Sequence, residues 1–133
     1  MKQCFADTSY FLALLIPADE NHARAFEESV RWHGQVLTSE FIVLEVGNFL
    51  ATTPSRGKFG AFLKGLHADP RTTIIPVSRE LLQRGLDLFL SRRDKSWSVT
   101  DCTSFALMQE RGIREALTTD HHFEQAGFDV LLR

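Results

Sequence analysis

The amino-acid sequence predicts an α/β protein in which helices cover both faces of a parallel β-sheet. Short apolar segments alternate along the chain with helical ones, and strands that are separated by helices usually pair in parallel. The 133 residues contain no linker or low-complexity tract, and this length suffices for one compact core and not for two. We therefore expect residues 1–133 to form a single three-layer α/β/α domain.

Five segments are predicted to be strands because they are short and are apolar or β-branched. They are Gln3–Ala6, Gln35–Thr38, Thr72–Val77, Arg114–Thr118 and Asp129–Leu132. In open parallel sheets, ligands bind in the crevice at the carboxyl ends of the strands. Residues that directly follow these strands are therefore candidates for a functional site.

The intervening segments have apolar residues at helical spacing and recognisable end signals. Pro17 ends the first predicted helix and Gly112 ends the sixth. In the second helix, Ala23, Phe26 and Val30 share one face, which is typical of an amphipathic helix. The predicted helices are Ser9–Ile16, Asp19–His33, Glu40–Ala51, Lys58–His67, a segment from Ser78 to about Arg92, Asp101–Glu110 and a short turn at Phe123–Ala126.

The net charge of −2 does not predict a general attraction to nucleic acid. Any contact with a phosphate backbone would have to come from local basic patches. Charged loops are usually only solvated, so the basic candidates are weak evidence by themselves. They are Arg56, Lys58, Lys64, Arg92, Arg93 and Lys95.

The two cysteines, Cys4 and Cys102, lie far apart within apolar segments. We interpret them as buried, reduced thiols of a cytosolic protein, with a disulfide as the alternative. Met1 and Lys2 lead directly into a predicted strand, so no signal peptide is expected. The apolar stretch from Tyr10 to Pro17 is too short to span a membrane. These features predict a cytoplasmic protein without a membrane anchor.

Four carboxylates lie where apolar runs end or helices begin. They are Asp7, Glu45, Asp101 and Asp120. Four acids that met in one place would repel one another unless hard cations neutralised them. Carboxylate oxygens are the ligands that Mg²⁺ and Mn²⁺ favour. The pattern therefore predicts metal-assisted phosphodiester chemistry.

Two of these acids have a simple structural alternative, because an aspartate after a strand often caps the helix that follows. Asp7 follows the first strand and precedes Thr8 and Ser9, and Asp120 precedes the final helical turn. For Asp7, the position at a strand end favours a side chain directed into the crevice.

Glu45 is the only charged residue between Phe41 and Leu50. Asn48 and Thr52 continue its polar stripe along the predicted helix. The stripe is either solvated or lines a polar cavity. A helix this apolar is expected to be mostly covered, which favours the cavity.

Asp101 is predicted to share a core-facing stripe with Phe105 and Met108. Its alternative role is to interact favourably with the helix dipole at the N-terminus. Because Ser98 can cap this helix instead, capping does not require Asp101, and this favours a functional role for the acid. Ser104, one turn further on, can hydrogen-bond to Asp101 or to a ligand.

His121 and His122 raise the alternative of a zinc site beside Asp120. Adjacent histidines are expected to point apart and to share one metal poorly, so zinc ranks below carboxylate-bound Mg²⁺ or Mn²⁺. His122 is expected to pack or hydrogen-bond near Asp120. Trp97 can stack on a base, but an aromatic residue at a helix entrance more often belongs to the core.

Taken together, these residues resemble the PIN-domain ribonucleases and, among them, the toxins of the VapBC toxin–antitoxin type. The resemblance extends over nearly the whole chain. It begins at Asp7–Ser9, and its most specific segments are Trp97–Met108 and Leu117–Phe128. The four acids of the family match Asp7, Glu45, Asp101 and Asp120, and its supporting hydroxyl residues match Ser9 and Ser104.

The resemblance implies a five-stranded parallel sheet and endonucleolytic cleavage of RNA that depends on Mg²⁺ or Mn²⁺. Asp7 and Asp101 would be the main metal ligands, and Glu45 and Asp120 would complete the site directly or through water. It also implies a homodimer and a neutralising antitoxin protein.

Two other functional classes were compared with this hypothesis. A non-catalytic module that binds RNA or protein through the same fold has no need for a complete set of acids. A phosphorylatable receiver-like domain would have adjacent acids after its first strand and a lysine after a late one, and the sequence has neither.

Overall fold

The computed structural model describes residues 2–133 and contains the expected parallel sheet. All neighbouring strands pair in parallel, in the order β3-β2-β1-β4-β5. The strands are β1 (Gln3–Ala6), β2 (Gln35–Ser39), β3 (Thr72–Ile75), β4 (Glu115–Leu117) and β5 (Asp129–Val130). The chain places β2 and β3 on one side of β1 and then β4 and β5 on the other side, so the strand order reverses between β1 and β4. The carboxyl ends of these two strands therefore form the crevice at which such sheets bind ligands.

Seven α-helices connect the strands in the part of the chain that the structure describes. They are α1 (Thr8–Leu15), α2 (His22–Arg31), α3 (Glu40–Leu50), α4 (Phe59–Ala68), α5 (Arg79–Ser91), α6 (Val99–Arg111) and α7 (His121–Gln125), with a short 3₁₀ turn at Arg56–Lys58. The predicted α/β fold class is thus confirmed. None of these helices combines the length and apolar character that crossing a membrane requires.

The core is centred on β1 and on an aromatic cluster beside it. Phe5 is fully buried, and the rings of Phe105 and Phe123 meet edge to face with centroids 4.9 Å apart. Trp97 packs on Phe105 in the same manner at 5.0 Å and is buried, which confirms that it belongs to the core. Such contacts contribute about 0.5–1.5 kcal/mol per pair beyond the burial of area. They fix the start of α6 against α7.

Both cysteines are free and buried, as predicted. Burial raises the pKa of the Cys4 thiol to about 12 and also raises the pKa of Cys102. Neither thiol is therefore activated at neutral pH.

Two apolar helix faces are more exposed than their composition indicates, and the prediction that α3 is mostly covered is wrong for part of that helix. On α2, the face that carries Ala23, Phe26 and Val30 is exposed, and Ala25 is the residue that packs into the core. On α3, Leu44 is 59% exposed, so this helix is less covered than its composition suggests. Periodicity identifies an apolar face, but the neighbouring elements decide whether that face is covered.

Some element boundaries also differ from the prediction. α2 begins at His22 rather than Asp19, and α6 begins at Val99 rather than Asp101. β3 ends at Ile75 because the next residue, Pro76, has no backbone N–H to donate to a neighbouring strand. β5 contains only Asp129–Val130.

Candidate active site

The predicted acids come from four elements that meet at the carboxyl edge of β1 and β4. Asp7 directly follows β1, and its backbone N–H donates to the Leu117 carbonyl at the end of β4 at 3.0 Å. Asp120 lies three residues further along the same connection, and Asp101 lies in the first turn of α6. Glu45 lies on α3 and is half-buried.

The Asp7 carboxylate is directed into this crevice and does not cap a helix. Asp7 occupies the N-cap position of α1, but its side chain makes no capping hydrogen bond. Instead, its Oδ2 accepts hydrogen bonds from Thr118 Oγ1 at 2.7 Å and from Ser9 Oγ at 3.1 Å. The side chain is buried, with 4% of the residue exposed. The capping alternative for Asp7 is therefore wrong.

Burial and neighbouring acids disfavour the charged form of this carboxylate. Burial raises the pKa of Asp7 to about 7, and the charges of Asp101 and Asp120 contribute in the same direction, while hydrogen bonds from Thr118 and Thr8 oppose the shift. The expected electrostatic coupling of the acids is thus present, although burial has the larger effect. A cation in the crevice would reverse this penalty.

Asp101 has a structural role that the sequence interpretation missed. The Ser98 hydroxyl accepts from the Asp101 backbone N–H at 2.9 Å, and the Asp101 Oδ2 accepts from the Ser98 backbone N–H at 3.1 Å. This reciprocal pair is a capping box. The acid is therefore not surplus to the helix, because the capping box uses one of its oxygens. Burial raises the pKa of Asp101, with a further contribution from Asp120, against opposing contacts to Ser98 and His122.

Asp120 caps α7, as the structural alternative predicted. Its Oδ1 accepts from the His122 backbone N–H at 2.9 Å, and its own N–H donates to Thr118 Oγ1 at 3.0 Å. The side chain of Asp120 is 27% exposed. Asp120 thus lies at the solvent side of a site in which Asp7 and Asp101 are buried.

Glu45 joins the site through a neighbour of Asp7. The Thr8 hydroxyl, at the first residue of α1, donates to Glu45 Oε1. Beyond Glu45, Asn48 and Thr52 are exposed, and the cavity that Asn48 lines is mainly apolar rather than polar. The prediction of a polar cavity along this stripe is wrong, but Glu45 itself is held beside the crevice.

The two supporting serines differ in their contacts. Ser9 Oγ lies 3.0 Å from Thr118 Oγ1 and accepts from the Thr119 backbone N–H at 3.0 Å, in addition to its bond with Asp7. Ser104 is buried, and its hydroxyl has no hydrogen-bond partner among residues 2–133. The suggested bond between Ser104 and Asp101 is therefore absent.

The adjacent histidines lie closer together than expected. The ring centroids of His121 and His122 are 4.5 Å apart, so the prediction that the side chains point apart is wrong. His122 Nδ1 lies 3.1 Å from Asp101 Oδ2 and 3.3 Å from Asp120 Oδ1. The expected contact of His122 with Asp120 is present, and the same ring also reaches Asp101.

Two threonines that the sequence interpretation did not select position the acids. Thr118 bonds to Asp7 and receives the N–H of Asp120, and Thr8 holds Glu45. Thr8 and Thr118 lie just after β1 and β4, close to Asp7 and Asp120 in the sequence. Attention to every polar residue at these strand ends would have identified them.

The comparisons with known proteins agree with this geometry. The PIN domain family matches residues 4–129 of the chain. VapC20 of Mycobacterium tuberculosis, named a 23S rRNA-specific endonuclease, is 25% identical over 124 residues, which are 93% of this chain and 94% of that protein. The crystal structure of Mycobacterium tuberculosis VapC20, described as a sarcin–ricin loop cleaving toxin, has a TM-score of 0.86 at 25% identity and covers 94% of this chain and 95% of that chain.

Two further solved structures share the fold at lower sequence identity. A toxin–antitoxin complex from Klebsiella pneumoniae has a TM-score of 0.59 at 19% identity and covers 89% of this chain and 87% of that chain. FitAcB from Neisseria gonorrhoeae has a TM-score of 0.65 at 18% identity and covers 96% and 95%. These two likenesses show the same fold, whereas the family resemblance that the sequence predicted is confirmed by the PIN domain match and by VapC20.

Proposed function

This chain belongs to the PIN domain family, and from that premise we propose that it is a divalent-metal-dependent endoribonuclease that acts as the toxin of a toxin–antitoxin pair. The observation that carries the proposal is the proximity of Asp7, Asp101 and Asp120 around one crevice, where the charges of Asp101 and Asp120 raise the pKa of Asp7 and that of Asp120 raises the pKa of Asp101. Its resemblance to VapC20 along most of both chains supports RNA as the substrate class.

The donor types suit a hard divalent ion. Binding one would draw the acids closer, because among residues 2–133 no three of them have carboxylate oxygens within 4.8 Å of one another. We propose that Asp7 and Asp101 are the main ligands and that Glu45 and Asp120 complete the site directly or through water. Within residues 2–133, no lysine or arginine forms an ion pair with any of these four acids. Buried carboxylates without a cationic partner carry an uncompensated charge, which Mg²⁺ or Mn²⁺ would neutralise.

The protein's contribution to the reaction is to hold these oxygens in place before RNA arrives. Thr118 and Ser9 orient Asp7, Thr8 holds Glu45, and the capping box holds Asp101. Because the positions are fixed by strands and helix ends, little reorganisation accompanies the reaction. A bound divalent ion would supply an activated water and charge compensation at the phosphate oxygens.

The relatives support RNA as the substrate class and an antitoxin as a partner. We propose a single PIN domain over residues 1–133, a cytoplasmic location, a homodimer and neutralisation by an antitoxin protein. Because VapC20 is named for 23S rRNA and its crystal structure for the sarcin–ricin loop, an RNA hairpin with that loop is the first substrate to test.

Cleavage of labelled RNA by the purified protein tests the proposal. We expect endonucleolytic products with Mn²⁺ or Mg²⁺, none with chelator, and none from Asp7→Asn. Cleavage that persists in chelator would contradict the metal mechanism. RNA binding without cleavage under any metal condition would instead identify the non-catalytic module.

Expression in cells tests the toxin role separately. Wild-type protein should arrest growth and degrade RNA, whereas Asp7→Asn should do neither. Co-expression of a short reading frame found beside this gene should restore growth if that frame encodes the antitoxin. If both forms arrest growth equally, nuclease activity is not the cause.

A further inference from the structure

A cluster of nitrogen and oxygen atoms lies at the solvent side of the acidic crevice. Asp120 Oδ1 lies 3.3 Å from His122 Nδ1 and 3.7 Å from His121 Nδ1. One ligand atom from each of these three residues lies within 4.8 Å of the other two, and no other such group of histidine, cysteine and acidic residues occurs within residues 2–133.

The two rings differ in how firmly they are held. The His122 side chain is 18% exposed, and its Nε2 lies 3.4 Å from Ser96 Oγ. The His121 side chain is 69% exposed and can rotate towards its neighbours. The cluster thus combines one fixed imidazole, one fixed carboxylate and one adjustable imidazole.

The surroundings of the His122 ring favour a cation. His122 Nδ1 faces two carboxylate oxygens, Asp101 Oδ2 at 3.1 Å and Asp120 Oδ1 at 3.3 Å, and its Nε2 lies 3.4 Å from Ser96 Oγ. Without a metal ion, a proton on Nδ1 is donated to these oxygens, and a metal ion on Nδ1 would take the place of that proton beside the two carboxylates. A histidine whose second ring nitrogen is held by a hydrogen-bond partner is also the usual arrangement of a metal ligand.

The donor types select a different ion from the one that the acidic site would hold. Mg²⁺ prefers oxygen ligands, whereas imidazole nitrogen suits zinc and the later transition metals. Four-coordinate zinc with bonds of about 2.0–2.2 Å places neighbouring ligand atoms roughly 3.3–3.5 Å apart. The separations of 3.3 and 3.7 Å are close to this spacing without any backbone movement, and the ligand atoms of the third pair, His121 and His122, lie within 4.8 Å of each other.

We propose that Asp120, His121 and His122 form a second metal site, specific for zinc or a similar imidazole-binding ion, whose occupation inhibits the nuclease. Asp120 belongs to both sites, so a zinc ion on its oxygen competes with its contribution to the activating ion. Zinc on His122 Nδ1 also removes that ring from its contact with Asp101. The inhibitory part rests on the proposed nuclease function, whereas the binding part does not.

Binding is tested by calorimetric titration of zinc into the full-length protein in excess Mg²⁺, and by the visible absorption of Co²⁺ as a zinc substitute. The decisive variant is His121→Ala, because His121 has no place in the acidic site. We expect its zinc affinity to fall by at least about tenfold, the lower end of what losing even an outer-shell partner costs. The matched control is His67→Ala, an exposed histidine on α4, which should bind zinc as wild type does. Equal zinc affinity in His121→Ala and wild type would overturn the site.

Inhibition is tested by adding zinc to RNA cleavage supported by Mn²⁺. His121→Ala should keep its activity without zinc within about twofold of wild type, yet need at least about tenfold more zinc for half inhibition. If zinc binds through His121 but leaves cleavage unchanged, the inhibitory role is wrong. If no RNA is cleaved under any condition, the proposed function fails, and the calorimetric result still decides whether the site exists.

Discussion

Asp7 shows at the scale of one residue how the fold prepares a carboxylate for a cation. The side chain is buried, accepts two hydroxyl hydrogen bonds, and has a pKa near 7. The hydrogen bonds from Thr118 and Ser9 fix its direction but do not offset the loss of hydration. A positive charge bound beside Asp7 would offset the free energy that burying the carboxylate costs.

The raised pKa of Asp7 predicts a specific pH dependence of stability in the metal-free protein. The folded pKa is about 7 and the reference value is 3.8. Between these values the folded state holds a proton that the unfolded state has released, so the free energy of unfolding falls as pH rises, and the loss is complete above pH 7. Asp7→Asn in chelator should therefore stabilise the protein at pH 8, by up to about 4 kcal/mol, and have little effect near pH 4.

Urea denaturation at both pH values measures this effect, and Asp94→Asn is the matched control. Arg92 lowers the pKa of the exposed Asp94 to about 2, so neutralising that residue should give no stabilisation at pH 8. If Asp7→Asn destabilises the metal-free protein at pH 8, the carboxylate is not buried in the way described here.

At the scale of elements, α6 supplies both Asp101, a proposed metal ligand, and much of the core. Its first turn contains the capping box of Ser98 and Asp101, and its inner face contains Phe105 and Met108, which are fully buried. Along its length it packs against α5, where Gly85 allows close approach to Thr103. The position of Asp101 is therefore determined by the packing of the whole helix.

Removing the α6 cap should affect both stability and catalysis. Ser98→Ala should lower the free energy of unfolding by about 1 kcal/mol, the usual cost of losing a serine N-cap. Ser78→Ala is the matched control, because Ser78 caps α5 in the same way through the Leu81 N–H at 3.0 Å. Both variants should lose similar stability, but only Ser98→Ala should reduce RNA cleavage. Equal cleavage by both variants would show that the cap does not position Asp101.

Two glycine-to-alanine substitutions, one at the contact between α5 and α6 and one on α4, are expected to change the free energy of unfolding in opposite directions. A Cβ at residue 85 would lie 2.5 Å from Thr103 Cγ2, so Gly85→Ala should destabilise by about 1–3 kcal/mol through overpacking. Gly65 in α4 has open space around it, and Gly65→Ala should stabilise by about 0.5–1 kcal/mol through helix propensity. Adding Thr103→Ser to Gly85→Ala should recover part of the loss. Denaturant titration measures all three, and a neutral Gly85→Ala would contradict the close approach.

At the scale of the whole molecule, the order of the strands creates the site. Because β1 and β4 are neighbours, residues separated by more than a hundred positions share a hydrogen-bond network, as Ser9 and Thr118 do. The net charge of −2 does not attract RNA. In the proposed mechanism, local groups and the divalent cation would therefore provide the attraction to phosphate.

Metal binding should stabilise the whole fold, because the ligands are assembled only in the folded state. At a hundredfold excess of Mn²⁺ over its Kd, the gain is about 2.7 kcal/mol, or a rise in Tm of about 10 °C for a chain of this size. Asp101→Asn should lose most of this gain, whereas Asp129→Asn, which changes an exposed aspartate on β5, should keep it. Thermal melts with Mn²⁺ and with chelator measure the difference. The same gain in Asp101→Asn as in wild type would refute the site assignment.

Much of the fold and the acidic set could be predicted from the sequence. The five strands and the helices follow from local periodicity and end signals, and Asp7 and Asp120 could be placed because they follow strands. The exposed face of α2 could not be predicted, because its coverage depends on neighbours that the segment does not encode. The double role of Asp101 was missed because a capping residue and a ligand have the same sequence pattern.

The sequence by itself determined which strands and helices form and which residues are candidates for the site, because propensity, capping and periodicity act over a few neighbouring residues. Only the tertiary structure decided that Asp7, Asp101 and Asp120 meet, that Thr118 holds Asp7, and that the rings of His121 and His122 approach one another. These contacts depend on strand order and on the packing of α6 and α7. Such relations join distant parts of the chain, and no local pattern specifies them.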